Sequence, residues 1–288
     1  MKRAITWGVG SLALVGMTLP TIAADLEARP VTKEPVMMPV PAFNWTGFYV
    51  GIGLGGLWSD TTWNTTCLAP AFDGFGATCP NDIFAGTTRI FNDNPRSFNA
   101  SGFRVSGYGG YNWQFSNWVI GVEGDWGWED AKATHLGIPG TWSATFGPGA
   151  DASSVRENWD ASARGRIGFL FTPQGLLYAT GGAAWQNKTI AAACGPTFPV
   201  GWCAVSNAAS ISTTFFGWTV GGGIEWMFAP NWIGRAEYRY SDYGDKSFQA
   251  FGVTPADSFN FTVHEKTSTA YVGLSYLFNW AAPVAARY

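Results

Sequence analysis

The chain has 288 residues, of which only 13% are charged, with a formal net charge of −3, 16 Trp and 37 Gly. A soluble domain carries roughly a quarter charged residues, so this composition is poorly suited to a surface wetted on every side, and the acidic balance excludes a nucleic-acid partner. Beyond the N-terminus no run approaches the ~20 apolar residues that a spanning helix needs, which excludes a helical membrane protein.

Lys2 and Arg3 precede an apolar stretch from Ala4 to Leu19 and small residues around Ala23 and Ala24. This reads as a secretory signal over residues 1–23, cleaved after Ala23. Its removal leaves 15 basic against 20 acidic residues, a formal charge of −5. Residues 24–42 carry Pro30, Pro35, Pro39 and Pro41 and no strand period. They are expected to form an extended tether on the periplasmic side.

From residue 43 to 288 the chain reads as one barrel domain, all-β, of eight antiparallel transmembrane strands joined alternately by short turns and long polar loops. Strand one, 45–58, sets the pattern: Phe48, Val50, Ile52 and Leu54 share one face, Tyr49, Gly51, Gly53 and Gly55 the other. A long loop to Asn99 follows. Strand two, 100–114, aims Phe103, Val105, Tyr111 and Trp113 outward and Arg104, Ser106, Tyr108 and Asn112 inward, and a tight turn lies at 115–117.

Strand three, 118–129, continues with Trp118, Ile120, Val122, Trp126 and Trp128 outward against Glu123 and Asp125 inward. After a loop over 130–155, strand four, 156–171, puts Ile167, Phe169 and Phe171 outward and Asp160, Arg164 and Arg166 inward. Thr172–Gly175 is a turn. Strand five, 176–188, has small residues on both faces, with Thr180, Gln186 and Lys188 on one parity.

Strand six, 213–228, faces Phe216, Trp218, Val220, Ile224, Trp226 and Phe228 outward and Glu225 inward. A turn at Ala229–Asn231 leads to strand seven, 232–243, with Arg235, Glu237 and Arg239 inward; after a loop over 244–265, strand eight runs 267–278. An even strand number brings both termini and the short turns to the periplasmic side, with four long loops outside.

The predicted lumen therefore holds Arg104, Glu123, Asp125, Asp160, Arg164, Arg166, Glu225, Arg235, Glu237 and Arg239. A turn centred on Pro230 sets Glu225 opposite Arg235, and a two-residue turn at Phe115-Ser116 sets Tyr108 opposite Glu123. A selectivity filter for small solutes and a packed polar plug both use such charges. The plug is favoured, because an eight-stranded barrel is only just wide enough for side chains to fill.

Trp113, Trp118, Trp232 and Phe278 fall at the turn side and Trp58, Trp126, Trp128, Trp159 and Trp185 nearer the loops, as two interfacial girdles. Cys67, Cys79, Cys194 and Cys203 form two close pairs in predicted outer loops of an exported chain, which reads as two disulfides. Zinc is the competing reading, but neither pair has C-x-x-C spacing, and His135 and His264 lie in other segments. Neither histidine sits beside a Ser-Asp/Glu arrangement that would make a lipid-modifying hydrolase. With no phosphate-cradling or dinucleotide loop either, no cofactor is expected and the chain reads as a non-enzyme.

Phe43–Gly51, Val119–Asp125, Gly217–Glu225 and Tyr271–Tyr276 together, in that order, resemble the small outer-membrane β-barrels of Gram-negative bacteria called porin-family or outer-membrane immunogenic proteins. The likeness runs from the signal to strand eight. It implies an OmpA-like barrel in the outer membrane, set in lipid and lipopolysaccharide, that supports envelope integrity and surface exposure. It also implies delivery by the barrel-insertion machinery and, from a start such as Ala24-Asp25-Leu26, covalent attachment to peptidoglycan at Ala24 or Asp25. Relatives stop at an aromatic residue, whereas here Phe278 is followed by Asn279–Tyr288. Either Tyr288 serves as the terminal insertion signal or Phe278 is read internally.

Overall fold

A computed structural model describes residues 43–67, 83–84, 87–88, 94–139, 152–193, 208–250 and 259–278. The expected signal (1–23), the tether with Ala24 and Asp25, the side chain of Cys67, the other three cysteines and Tyr288 lie outside them. All the described residues belong to one compact unit, Pro41–Tyr288.

Its strands are β1 (Gly47–Cys67), β2 (Ile83–Phe84), β3 (Thr87–Thr88), β4 (Arg96–Phe115), β5 (Trp118–Leu136), β6 (Ala152–Thr172), β7 (Gly175–Ala193), β8 (Ala208–Ala229), β9 (Trp232–Ala250) and β10 (Phe259–Phe278). β2 and β3 pair with each other as a small hairpin. The other eight close into an antiparallel barrel in the order β1-β10-β9-β8-β7-β6-β5-β4. Two-residue turns at Ser116-Asn117, Pro173-Gln174 and Pro230-Asn231 mark one rim, and β1 meets β10 there through Phe48 and Phe278. Ser116 and Asn231 adopt φ of 56° and 69°, left-handed values that let such tight turns match the twist of the flanking strands.

Two expectations are corrected. The β4–β5 turn is Ser116-Asn117 and not Phe115-Ser116, so Tyr108 faces Asp125, and Glu123 faces Gly110. The strands are also much longer than expected, 19–22 residues against the 9–11 that cross a bilayer. At roughly 3.3 Å per residue they extend well past the lipid-facing band, from Phe48 to Trp58 on β1, into stretches that read as loops.

The physical reason is a reversal of polarity along each strand. Within the band Val50, Ile52, Val122, Ile167, Val220 and Val272 point outward and exposed. Past Trp58, Trp128 and Phe216 the outward positions turn mostly polar, with Asp60, Lys132, Arg156, Ser212 and Lys266, while Trp63, Phe98, Ile190, Phe215, Phe261 and Val263 are buried inside. Alternation persists, so the strand persists, but its inside has become apolar. Bulges at Trp128/Ala131, Glu157/Trp159 and Glu265/Lys266 cluster where the reversal occurs, and the last is accommodated by Gly244 at φ 64°.

Candidate functional site

The lumen is filled in layers. At the turn end Trp45, Val119, Leu170, Leu176, Met227, Ile233 and Leu277 form a buried apolar floor. Trp45 is fixed there: its backbone N–H donates to Gln114 Oε1 (2.8 Å) and its indole N–H to the Pro173 carbonyl (3.1 Å).

Above the floor lies a network of five arginines and five carboxylates, all ten buried. Arg235 donates to Glu225 Oε1 (2.8 Å) and Glu123 Oε2 (2.6 Å), with its guanidinium 4.2 Å from the centre of the Tyr108 ring. Arg166 donates to Glu225 Oε2 (2.7 Å) and stacks 4.3 Å from the Tyr178 ring, while Tyr49 donates its hydroxyl to Glu123 Oε2 (2.6 Å). Arg164 bridges Glu123 (2.6 Å) and Glu237 (2.5 Å). One level higher, Arg104 and Arg239 both bind Asp125 and Asp160, with Arg104 Nε 2.8 Å and Arg239 Nη2 2.7 Å from Asp160.

Five positive and five negative charges leave this network neutral. Desolvating so many ions is strongly unfavourable, and only paired, hydrogen-bonded geometry offsets it. Glycine makes the geometry possible. A Cβ at Gly127 would stand 2.5 Å from Asp160 Oδ1 and 2.7 Å from Arg104 Cζ, and one at Gly51 would stand 2.5 Å from Tyr108 Cζ. Inward glycines thus supply the space that arginine and tyrosine on neighbouring strands fill.

A second ionic cluster lies farther out, just past the upper tryptophans, and sequence reasoning missed it. Lys188 Nζ sits 2.7 Å from Glu157 Oε1 and in contact with Glu265 Oε2, and it donates to Thr61 Oγ1 (2.8 Å). Ser59 Oγ hydrogen-bonds Glu157 Oε1 (2.7 Å) and Glu265 Oε1 (2.9 Å), and Glu129 accepts from Gln186 Nε2 (3.0 Å). Glu129 continues the inward parity of Glu123 and Asp125 and was legible from it. Glu157 was hidden by the bulge that shifts parity on β6, and Glu265 lay in an expected loop.

An apolar cap built on Trp63, Phe98, Ile138, Ile190, Phe215 and Phe261 closes the outer end. His135 packs edgewise on Phe98 (4.9 Å between ring centres), and His264 Nδ1 lies 2.8 Å from Asp245 Oδ1 on the outer surface. Among the described residues no group of three His, Cys, Asp or Glu is placed to hold a metal.

Residues 35–278 match the family model described as outer membrane protein beta-barrel domain. The chain is 26% identical over 270 residues to the 25 kDa outer-membrane immunogenic protein of Brucella abortus, covering 93% of this chain and 95% of that protein. It is 28% identical over 273 residues to the 31 kDa outer-membrane immunogenic protein of Brucella melitensis, covering 94% and 98%. Among solved structures it is similar to the outer membrane protein OprG from Pseudomonas aeruginosa, with a TM-score of 0.43 and 11% identity, over 82% of this chain and 98% of that one.

Proposed function

The chain belongs to the outer membrane protein β-barrel family, and from that premise we propose that it is a non-conducting, non-enzymatic anchor of the cell envelope, whose barrel carries a polar head outside and a cell-wall tether inside. The observation that carries this reading is the filling of the lumen. An apolar floor, a charge-balanced arginine network and an apolar cap succeed one another with their side chains buried. An ion moving through would have to displace pairs that stabilise one another where little water reaches. A small-solute porin needs a wetted path instead.

The test is conductance in a planar bilayer. The purified barrel gives no steady channel; a sustained ohmic conductance overturns the reading in favour of a porin.

Trp45 stoppers the lumen at the turn end of the barrel. Attachment through Ala24 or Asp25 is tested by digesting isolated sacculi. Peptides starting at Ala24 are expected on peptidoglycan fragments, and finding only free N-termini removes the covalent link while leaving the anchor. Outer-membrane lipid and lipopolysaccharide surround the band, and the barrel-insertion machinery delivers the chain by reading either Phe278, at the end of β10, or Tyr288. The names of the Brucella relatives fit a protein whose outer head is displayed to antibodies.

A further inference from the structure

The wall of the barrel is not continuous to its outer end. β8 and β9 pair from the turn up to Trp218–Asp242, and β4 and β5 up to Gly102–Ala131. Past those positions the two strands of each pair run on without pairing to each other. The other neighbours stay in register almost to their ends: Leu136 with Ala152, Ala193 with Ala208, Cys67 with Phe259 and Trp63 with Arg96. Two seams on opposite sides therefore divide the outer end into two four-stranded leaves, β5-β6-β7-β8 and β9-β10-β1-β4.

The leaves meet face to face as a small sandwich. One contributes Trp63, Phe98 and Phe261, the other Val155, Ile190 and Phe215. Single side chains span the seams: Lys246 Nζ donates to the Thr214 carbonyl (2.8 Å), and Arg96 Nη1 to the Leu136 carbonyl (2.9 Å).

At the root of the sandwich, where the seams begin, sits the outer ionic cluster. Glu129, Glu157 and Lys188 belong to one leaf, and Glu265, Ser59 and Thr61 to the other. Two carboxylates, Glu157 and Glu265, share the Lys188 ammonium and the third, Glu129, accepts only from the Gln186 amide, all buried, so the cluster carries an excess of carboxylates in contrast to the neutral network below. Glu129 Oε1 and Glu157 Oε2 have no hydrogen-bond partner among the described residues. Three carboxylates and one ammonium in a sealed place call for bound protons.

The geometry points to a proton-held clasp: protons on Glu129 and Glu157 keep the two leaves shut, and their loss as pH rises parts the leaves along both seams. The groups facing this pair are Arg104 from β4, Asp160 from β6, Lys188 and the Gln186 amide from β7, Tyr243 from β9 and Glu265 from β10, while β1 contributes the Ser59 hydroxyl. The outward residues at this level are Asp60, Arg156, Asn187 and Lys266, so the clasp lies beyond the lipid-facing band.

Burial pushes the Glu157 carboxyl up to about 7, against the pull of Lys188 and with a further push from Glu265. A carboxyl raised in the closed form binds more protons there than in the open form. Closure is therefore fully stabilised below the ordinary carboxylate range and weakens as pH climbs through it toward 7.

Hydroxyl-radical footprinting of the full chain in detergent micelles tests this, with labelling of Trp63, Phe98 and Phe261 read by mass spectrometry. Between about pH 5.5 and about pH 8.5 their labelling is expected to rise about threefold or more, with a midpoint near the raised carboxyl, while Tyr49 and Tyr108 stay constant. Glu157→Gln keeps the leaves shut at the higher pH and flattens the response. Heat-modifiable migration verifies that the variant forms its barrel, and if it does not, Glu129→Gln carries the same reading. Labelling that does not change with pH in the unaltered protein, or a response surviving in the folded variant, overturns the clasp.

Discussion

On β5, Ile120 and Val122 face outward and exposed while Glu123 and Asp125 are buried. Eight to twelve residues farther along the same strand Lys132 and Thr134 face outward while Ala131 and Ala133 are buried. One backbone thus serves two solvents. In the lower region lipid takes the apolar face and the polar groups are held together inside by charge pairing, whereas in the upper region water takes the polar face and burial of apolar surface holds the inside together. The alternation that defines a strand is indifferent to which face is wet, so continuity of a strand says nothing about where a membrane ends. Only the sign of the alternation does.

The contrast between the two interiors breaks most visibly if each is damaged in its own way. Arg235→Ala strips Glu123 and Glu225 of a buried partner and is expected to destabilise by about 3–5 kcal/mol. Trp63→Ala leaves a hole between Phe98 and Phe261 and is expected to lose a similar amount, about 3–5 kcal/mol. The two separate by where the loss appears. Arg235→Ala lowers the urea midpoint of the heat-modifiable barrel, while Trp63→Ala leaves that midpoint nearly intact and makes the outer ends of β1 and β10 susceptible to protease. Identical responses would mean that the two regions unfold as one unit.

A single kind of substitution made twice sharpens the boundary. Val122→Arg puts a cation against lipid near the middle of the band and is expected to destabilise by about 2–4 kcal/mol. Thr134→Arg, six turns of alternation farther out on the same face, is expected to change stability by no more than about 0.5 kcal/mol. Equal costs in folding titrations from detergent into lipid vesicles would place both positions in one environment.

The lower region was legible because its signals agree. Outward Phe48, Ile52, Val122 and Ile224, inward Arg104, Glu123 and Arg235, and the turn at Pro230-Asn231 fix strands, faces and the Glu225–Arg235 register together. The upper region reads as loop because its outward residues are those of loops, Asn, Asp, Ser, Thr and Lys, and its inward set is diluted by Ala131, Ala133 and Ala192. A bulge then shifts parity within β6, so Glu157 falls out of the periodic series that exposes Asp160, while Glu265 keeps the inward parity of β10 but lies in a stretch that reads as loop. A one-residue error at the β4–β5 turn slid Tyr108 past its partner, since nothing in Phe115-Ser116-Asn117 alone decides which pair turns.

Packing of the neutral network sets the next test. Gly127→Val would drive a branched side chain into Arg104 and Asp160, which are held by mutual ion pairs and have little room to yield. A loss of about 1–3 kcal/mol is expected, read as a lower urea midpoint. Gly124→Val, on the lipid side of the same strand with only the Ser162 carbonyl nearby at 3.7 Å, is expected to be neutral or mildly stabilising. If the two behave alike, inward glycine is not making room for the arginines.

The smallest effect is expected at a seam. Lys246 reaches across from β9 to the Thr214 carbonyl on β8 in a position open to solvent, so Lys246→Ala removes one water-competed hydrogen bond and is expected to lower global stability by less than about 1 kcal/mol. Its local effect is larger in kind, because past Trp218–Asp242 no β8–β9 ladder shares the load. Amide hydrogens of β8 and β9 beyond that pair should exchange faster in the variant, while those between Trp218 and Met227 keep their protection, since opening there requires breaking the continuous ladder. Uniform protection along β8 in both proteins would mean that the seam is closed by other contacts and that the upper region shares the cooperativity of the lower one.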